Sequence, residues 1–142
     1  MARVKLELPE TFVFSTEMPL RIGDINYGGH LGNDSVLGLV HEARVRFLRA
    51  NGFSEIDIGG VGLILSDAVV MYRAEAFYGD VITIDVAVGD FWRAGCDIFY
   101  RLSNQSSGVE VARVKTGIVF FDYDKRKTTS VPAVFQQLFD KG

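Results

Sequence analysis

The sequence contains few of the residues on which small catalytic or metal-binding domains often depend. Its 142 residues include one cysteine, Cys96, two histidines and three prolines. A single cysteine excludes an intramolecular disulfide. One cysteine and two histidines also cannot supply the Cys₄ or Cys₂His₂ ligand set of a structural zinc site. The sequence therefore predicts no disulfide and no metal centre.

An excess of positive charge and long apolar runs are absent too. The chain has 15 Lys and Arg against 18 Asp and Glu, a formal net charge of −3 at pH 7, which disfavours a nucleic-acid partner. No apolar run reaches the ~20 residues of a membrane helix, and the start, MARVKLELPE, lacks the apolar core of a signal peptide. The overall balance, 48% hydrophobic and 23% charged, is that of a globular protein. We expect one cytoplasmic domain over residues 1–142, without membrane insertion.

Alternating apolar and polar residues dominate the second half of the chain. In the run 81–88 the even positions are Ile, Ile, Val and Val, a period of two that predicts a strand with one buried face. Further strand candidates are 11–22 (interrupted near 17–19), 63–72, 98–102 and 111–121. Short breaks with glycine separate the later runs and favour antiparallel hairpins. We therefore predict that the last four strands form a meander.

One long segment, 34–50, has a helical period instead. Its apolar residues share one arc at about 100° per residue: Val36, Leu39, Val40, Ala43 and Phe47, widened by Leu37 and Leu48. Asn33 is the predicted N-cap, and a second, short helix is predicted over 132–139. The expected architecture is α+β, with a five-stranded antiparallel sheet wrapped around one long central helix. One helix covers only part of a sheet face, so we also expect a partner chain.

A glycine-rich loop, 21–34, joins the first strand to this helix and concentrates polar side chains. Asp24, Asn26, His30 and Asn33 stand among its glycines. Glycines let backbone N–H groups approach a ligand closely, and the start of a helix adds unpaired N–H groups and positive dipole charge. Such a place can stabilise an oxyanion or the carbonyl oxygen from which it forms.

The loop and the segments after it resemble the hotdog-fold thioesterases of the 4-hydroxybenzoyl-CoA thioesterase type. Those chains carry a D-x-D-x-x-G loop, often continued as G-H-V-N-N, and then a helix with an acid shortly before Ala-Arg. Here residues 24–33 read DINYGGHLGN, residues 42–44 read EAR, and residues 78–80 read YGD, like a later turn of the family. The resemblance covers nearly the whole chain and implies the hotdog fold. It further implies hydrolysis of acyl-CoA or acyl-carrier-protein thioesters and a homodimer or dimer of dimers, without a cofactor, because coenzyme A is part of the substrate.

The sequence departs from this family at one important position. The second acid of D-x-D is the catalytic carboxylate of the 4-hydroxybenzoyl-CoA thioesterase type, and the matching residue here is Asn26. An amide cannot act as a general base or an ionised nucleophile, but it can orient water or donate a hydrogen bond. The carboxylate must then lie elsewhere, at Asp24, Asp34 or Glu42. Some hotdog thioesterases use an acid on the central helix, so the resemblance admits Glu42.

These residues define the leading interpretation, a thioester hydrolase. The helix start at Asn33 would polarise the thioester carbonyl, Asn26 and His30 would position water or stabilise charge, and Asp24 or Glu42 would be the base. The residues expected to contact the substrate are Tyr27, Gly28, Gly29 and Asn33. Purely structural interpretations stand beside these: Asp24 could accept loop N–H bonds, Asn26 could form a turn, and Glu42 could pair with Arg46 on a solvated helix face.

Two other function classes stay open from the sequence. A hotdog dehydratase or hydratase acting on 3-hydroxyacyl thioesters would pair His30 with Glu42, although the usual H-x-x-x-x-P-G context of that class is absent. A non-catalytic hotdog protein that binds an acyl ligand would explain Asn26 in place of the acid.

Overall fold

The computed structural model of the protein describes residues 3–141, which form two α-helices, a short 3₁₀ helix (Ile22–Asp24) and one antiparallel sheet. The helices are α1 (Asn33–Ala50) and α2 (Ala133–Phe139). The strands are β1 (Phe14–Pro19), β2 (Gly62–Tyr72), β3 (Val81–Gly89), β4 (Gly95–Asn104), β5 (Glu110–Asp122) and β6 (Lys127–Thr128). The α+β class is therefore confirmed. The five predicted strands correspond to β1–β5, and the two-residue β6 is an addition that pairs with β5.

The strand order of the sheet corrects one prediction. The order is β1-β3-β4-β5-β2, with every neighbouring pair antiparallel. The hairpins β3–β4 and β4–β5 form the predicted meander, but β2 pairs with β5 at the edge opposite β1. The eight residues 73–80 carry the chain from β2 at one edge to β3, which lies beside β1 on the far side of the sheet, whereas a hairpin uses only about 2–5 residues. The prediction that all four later strands form a meander was wrong.

The first strand is continuous through the predicted interruption. Glu17 lies opposite Thr83, and Pro19 lies opposite Val81 in the same ladder. Proline is accepted here because β1 is an edge strand and Pro19 is its last residue, where no N–H is needed for the ladder.

Helix α1 packs across one face of the sheet. The residues of the predicted arc are buried against strand residues of alternating register, among them Ile82, Ile84 and Val86 of β3, so both periodicities are confirmed. Leu48 is buried with them, but Leu37 is 43% exposed, because its side chain falls outside the arc that faces the sheet.

Phe135 of α2 closes one end of this core. Its ring packs against four other aromatic rings: Phe53, Phe91, Phe120 and Phe139.

The opposite face of the sheet is partly covered by the N-terminal segment. Leu6 packs with Ala87 and Phe99, whose side chains point away from α1 because neighbours along a strand alternate. The Leu6 carbonyl accepts a hydrogen bond from Arg113 Nη1 at 3.0 Å. No helix in the described part of the chain is long and apolar enough to cross a membrane.

Candidate functional site

The glycine-rich loop is held together mainly by its own backbone. The Asn26 N–H donates to the His30 carbonyl at 2.9 Å, and the Gly29 N–H donates to the Asn26 carbonyl at 3.0 Å. Gly29 has a φ of +87°, a conformation that other residues rarely adopt. The side-chain oxygen of Asn26 accepts the Gly28 N–H at 2.9 Å. Asn26 therefore forms the turn that its residue type predicts.

Asp24 anchors this loop to the chain on both sides of it. Its buried carboxylate accepts the Arg21 backbone N–H at 2.8 Å, and its carbonyl accepts the Gly32 N–H at 2.9 Å. The structural interpretation of Asp24 is thus confirmed. Its catalytic role stays a prediction.

The start of α1 differs from the sequence prediction in one respect. The N-cap is Gly32, with φ −73° and ψ 143°, and Asn33 is already the first helical residue. The hydrogen bond from Gly32 to Asp24 fixes this extended residue one position before the expected cap. Within residues 3–141 no side-chain hydrogen bond caps the helix, so its first N–H groups are left without a side-chain acceptor. The Tyr72 hydroxyl, at the end of β2, donates to the Asn33 carbonyl at 3.2 Å.

A cleft of about 290 Å³ lies beside this helix start, and we call it the helix-start cleft. Two predicted site residues, His30 and Asn33, line it. The other lining residues, none of them proposed from the sequence, are Leu31, Val36, Tyr72, Arg73, Ala74, Glu75, Val111 and Ala112. The sequence offered one hint that this segment could belong to a site: residues 72–75 come a few positions before the YGD motif at 78–80.

A second cleft of about 350 Å³, the helix-flank cleft, lies along α1 and is lined by two more of the four predicted catalytic residues, Asp24 and Glu42. Glu42 is 54% exposed and its Oε2 lies 2.8 Å from Nε of Arg46. This is the ion pair expected of a solvated helix face. Gly38 also lines the cleft, and no atom lies within 4 Å of where its Cβ would be, so the predicted open space beside Glu42 is present.

The structure thus separates the predicted catalytic residues: His30 lines the helix-start cleft, Asp24 and Glu42 line the helix-flank cleft, and Asn26 lines neither. Glu42 follows Asn33 by nine residues, which corresponds to about 13 Å of helix at ~1.5 Å per residue. Tyr27 projects fully into solvent. Gly28 stands between Asn26 and His30: a Cβ on it would lie 3.2 Å from Asn26 Oδ1 and 3.6 Å from His30 Nε2. Neither cleft is lined by residues 26–29.

Sequence reasoning missed the role of Arg44, which it treated only as a motif residue. Arg44 is buried in α1, and its Nε donates to Glu55 at 2.8 Å while its Nη1 donates to the Tyr100 hydroxyl at 3.3 Å. Tyr100 in turn shares a 2.9 Å hydrogen bond with Thr116. His41 contacts the second oxygen of Glu55 at 2.9 Å. Burial acts to raise the pKa of Glu55, but the hydrogen bonds with Arg44 and His41 outweigh it and hold that pKa below its ordinary value.

A long helix across one face of an antiparallel sheet, with a glycine-rich loop before the helix, is the arrangement of a hotdog-fold protein. The family model described as the thioesterase-like superfamily matches residues 20–139, and the chain belongs to this superfamily. No curated protein sequence matches the chain.

Solved structures share this fold at low sequence identity. A 1,4-dihydroxy-2-naphthoyl-CoA thioesterase from Synechocystis is 23% identical, with a TM-score of 0.81 over 90% of this chain and 96% of that one. A putative thioesterase from Pseudomonas aeruginosa is 16% identical, with a TM-score of 0.82 over 90% of this chain and 98% of that one. A DHNA-CoA thioesterase from Staphylococcus aureus is 20% identical, with a TM-score of 0.75 over 87% of this chain and 84% of that one.

Proposed function

We propose that the protein is a thioesterase that hydrolyses an acyl-CoA to a free acid and coenzyme A, and that the reaction takes place in the helix-start cleft. One observation carries the proposal: the uncapped start of α1, at Asn33, borders a cleft that also contains His30. Membership of the thioesterase-like superfamily supports the reaction class. Two similar structures are named as thioesterases of CoA esters, which supports coenzyme A as the thiol carrier. The acyl-carrier protein is the alternative carrier.

The helix start would hold the thioester carbonyl. Unpaired backbone N–H groups and the positive end of the helix dipole lie at Asn33, where they would stabilise the negative oxygen that develops when water attacks. Removing one such donor from comparable sites costs about 10²–10³ in kcat. No separate cofactor is required, because coenzyme A enters as part of the substrate.

Asn26 and His30 would position the water. His30 Nδ1 lies 3.2 Å from the Leu31 carbonyl oxygen, a contact that favours the proton on Nδ1 and leaves Nε2 to accept. Nε2 and Asn26 Oδ1 both border the space beside Gly28. A water there would donate one proton to Asn26 Oδ1 or to His30 Nε2, which leaves its second proton for a base and its oxygen lone pair for the substrate.

We also propose that the active unit is a homodimer, with a dimer of dimers as the larger assembly that the family resemblance allows. Strand β2 is an edge of the sheet, and its apolar side chains Ile64 and Leu65 are exposed. An edge strand offers unpaired backbone groups to a second copy. Because β2 ends at Tyr72, which lines the helix-start cleft, a second copy bound to this strand would add a wall to the cleft.

Light scattering tests the dimer. The wild-type protein should give a dimeric mass, and Leu65→Lys should shift that mass toward the monomer. A monomeric wild-type protein would contradict the proposed dimer.

The activity test is thiol release from a panel of aliphatic and aromatic acyl-CoAs and acyl-carrier-protein thioesters. We expect turnover of at least one acyl-CoA above the buffer rate and a large loss in His30→Ala. No turnover of any thioester would overturn the proposal and leave the non-catalytic binding function, which calorimetry with an acyl-CoA would then detect. Hydratase chemistry would need His30 and Glu42 together, and these side chains lie in different clefts.

A further inference from the structure

We propose that Glu75 is the general base of the reaction and supplies the carboxylate that is missing at Asn26. This inference rests on the proposed thioesterase function. Glu75 lines the helix-start cleft together with His30 and Asn33. It is the only carboxylate among the residues that line this cleft in the described part of the chain.

Hydrogen bonds made by residues on either side of Glu75 tie its segment to the helix start. On one side of it, the Tyr72 hydroxyl donates to the Asn33 carbonyl at 3.2 Å. On the other side, the Ala76 carbonyl accepts the Leu31 N–H at 2.8 Å. Glu75 therefore lies between two fixed points: Tyr72, which is bonded to the first residue of α1, and Ala76, which is bonded to the glycine-rich loop. Such fixation is what positioning a base for reaction requires.

The charged neighbours of Glu75 also support this assignment. No ion pair within 4 Å involves it among residues 3–141, and its cationic neighbour in the cleft, Arg73, is committed to Glu110 at 2.9 Å. Two of the three acids proposed from the sequence are engaged instead, and the third, Asp34, does not line this cleft. Glu42 is paired with Arg46, and the Asp24 carboxylate accepts the Arg21 N–H. Among the described residues, Glu75 is therefore the acid that lines the helix-start cleft and forms no salt bridge.

The chemical step balances with these groups and water alone. Glu75 takes one proton from water as the water oxygen bonds to the carbonyl carbon, and the carbonyl electrons move to the oxygen at the helix start. When the C=O bond forms again, the C–S bond breaks and the thiolate of coenzyme A leaves. The thiolate receives the proton from Glu75, so the products are the free acid and the thiol, and the carboxylate is regenerated.

The test compares Glu75→Gln with three other variants on the best acyl-CoA of the panel. General-base removal typically costs 10²–10⁴-fold in rate. We therefore expect Glu75→Gln to lose at least about 100-fold in kcat, with KM and the calorimetric affinity for coenzyme A within about threefold of wild type. Glu75→Asp should recover part of the loss. The matched control Glu10→Gln, an exposed glutamate outside the cleft, should keep wild-type kcat.

Two further readouts make the result decisive. Glu75→Gln should lose the rise of kcat/KM with pH that deprotonation of a base produces, while its melting temperature stays that of wild type. If Glu75→Gln keeps more than a third of wild-type kcat, or if Glu42→Gln causes the large loss instead, the assignment is overturned and the thioesterase proposal stands. If the wild-type protein hydrolyses no thioester, both proposals are overturned.

Discussion

The Nε of Arg44 lies 2.8 Å from Oε2 of Glu55, and the arginine is only 3% exposed. This ion pair joins the middle of α1 to the segment that leads into β2. Arg44 also reaches Tyr100 of β4, so one buried cation connects the helix, the sheet and the segment after the helix. We therefore expect it to contribute to stability rather than to the chemistry at the helix start.

Arg44→Leu should lower the free energy of unfolding by about 3 kcal/mol. The reason is that Glu55 and Tyr100 would both lose the hydrogen bond that they receive from Arg44, in a partly buried place where water replaces it poorly. Urea unfolding followed by circular dichroism measures this. The control is Arg49→Leu, an exposed position on the same helix, which should change the free energy by less than about 1 kcal/mol. Equal losses in both variants would contradict a special role for Arg44.

Glu55→Gln should lower the free energy of unfolding by about 1 kcal/mol at pH 7 and by progressively less toward pH 3. The pKa of folded Glu55 is lowered from its ordinary value, so its charge stabilises the fold above the unfolded-state pKa. That contribution is lost as the pH falls through the lower, folded-state pKa. Urea titrations of both proteins at several pH values measure the difference, and a difference that does not change with pH would refute the prediction.

Two glycines should respond in opposite directions to alanine. A Cβ at Gly95 would lie 2.1 Å from the Ile118 carbonyl oxygen, a backbone atom of the neighbouring strand, so Gly95→Ala should strongly destabilise the protein, by about 3 kcal/mol. Gly38 lies inside α1 with open space beside it, so Gly38→Ala should stabilise it by up to about 1 kcal/mol. Thermal and urea unfolding test both, and a stable Gly95→Ala would show that the β4–β5 contact adjusts easily.

Gly28→Ala should affect catalysis more than stability. Its new methyl group would press on Asn26 Oδ1 and stand near His30 Nε2, the two groups proposed to hold the water, so we expect kcat/KM to fall about tenfold. Gly23→Ala is the matched control in the same loop region, because no atom lies within 4 Å of its Cβ position. Comparable activity in the two variants would argue against water positioning by this part of the loop.

Cys96 should be inert in the native protein. Burial raises the pKa of its thiol, which disfavours the reactive thiolate. An aromatic disulfide reagent at pH 8 should report no fast reaction with the folded chain and one thiol per chain after denaturation. The same reagent can then follow release of coenzyme A without interference, whereas a fast native reaction would show that Cys96 is accessible.

Local patterns predicted the secondary structure well because they are set by nearby residues. The alternation in 81–88 matches β3, with Ile82, Ile84 and Val86 buried, and the apolar arc of α1 faces the sheet. The position of β2 could not be read in this way. Its pairing with β5 joins segments about fifty residues apart, such as Ala68 with Thr116, and no periodicity within one strand specifies its neighbour.

Local patterns and motifs were enough to define the class of the protein: an α+β fold, a glycine-rich loop before one long helix, and a motif with Asn26 in place of the family's acid. Which side chains share a cleft became known only from the three-dimensional packing. It placed His30 and Asn33 together, brought Glu75 to them across the loop, and left Glu42 in a different cleft. Residues along α1 point in different directions around the helix axis, so neighbours in sequence can line different clefts. Residues 72–76 are joined to the helix start by long-range hydrogen bonds, from Tyr72 to Asn33 and between Ala76 and Leu31, which no local pattern encodes.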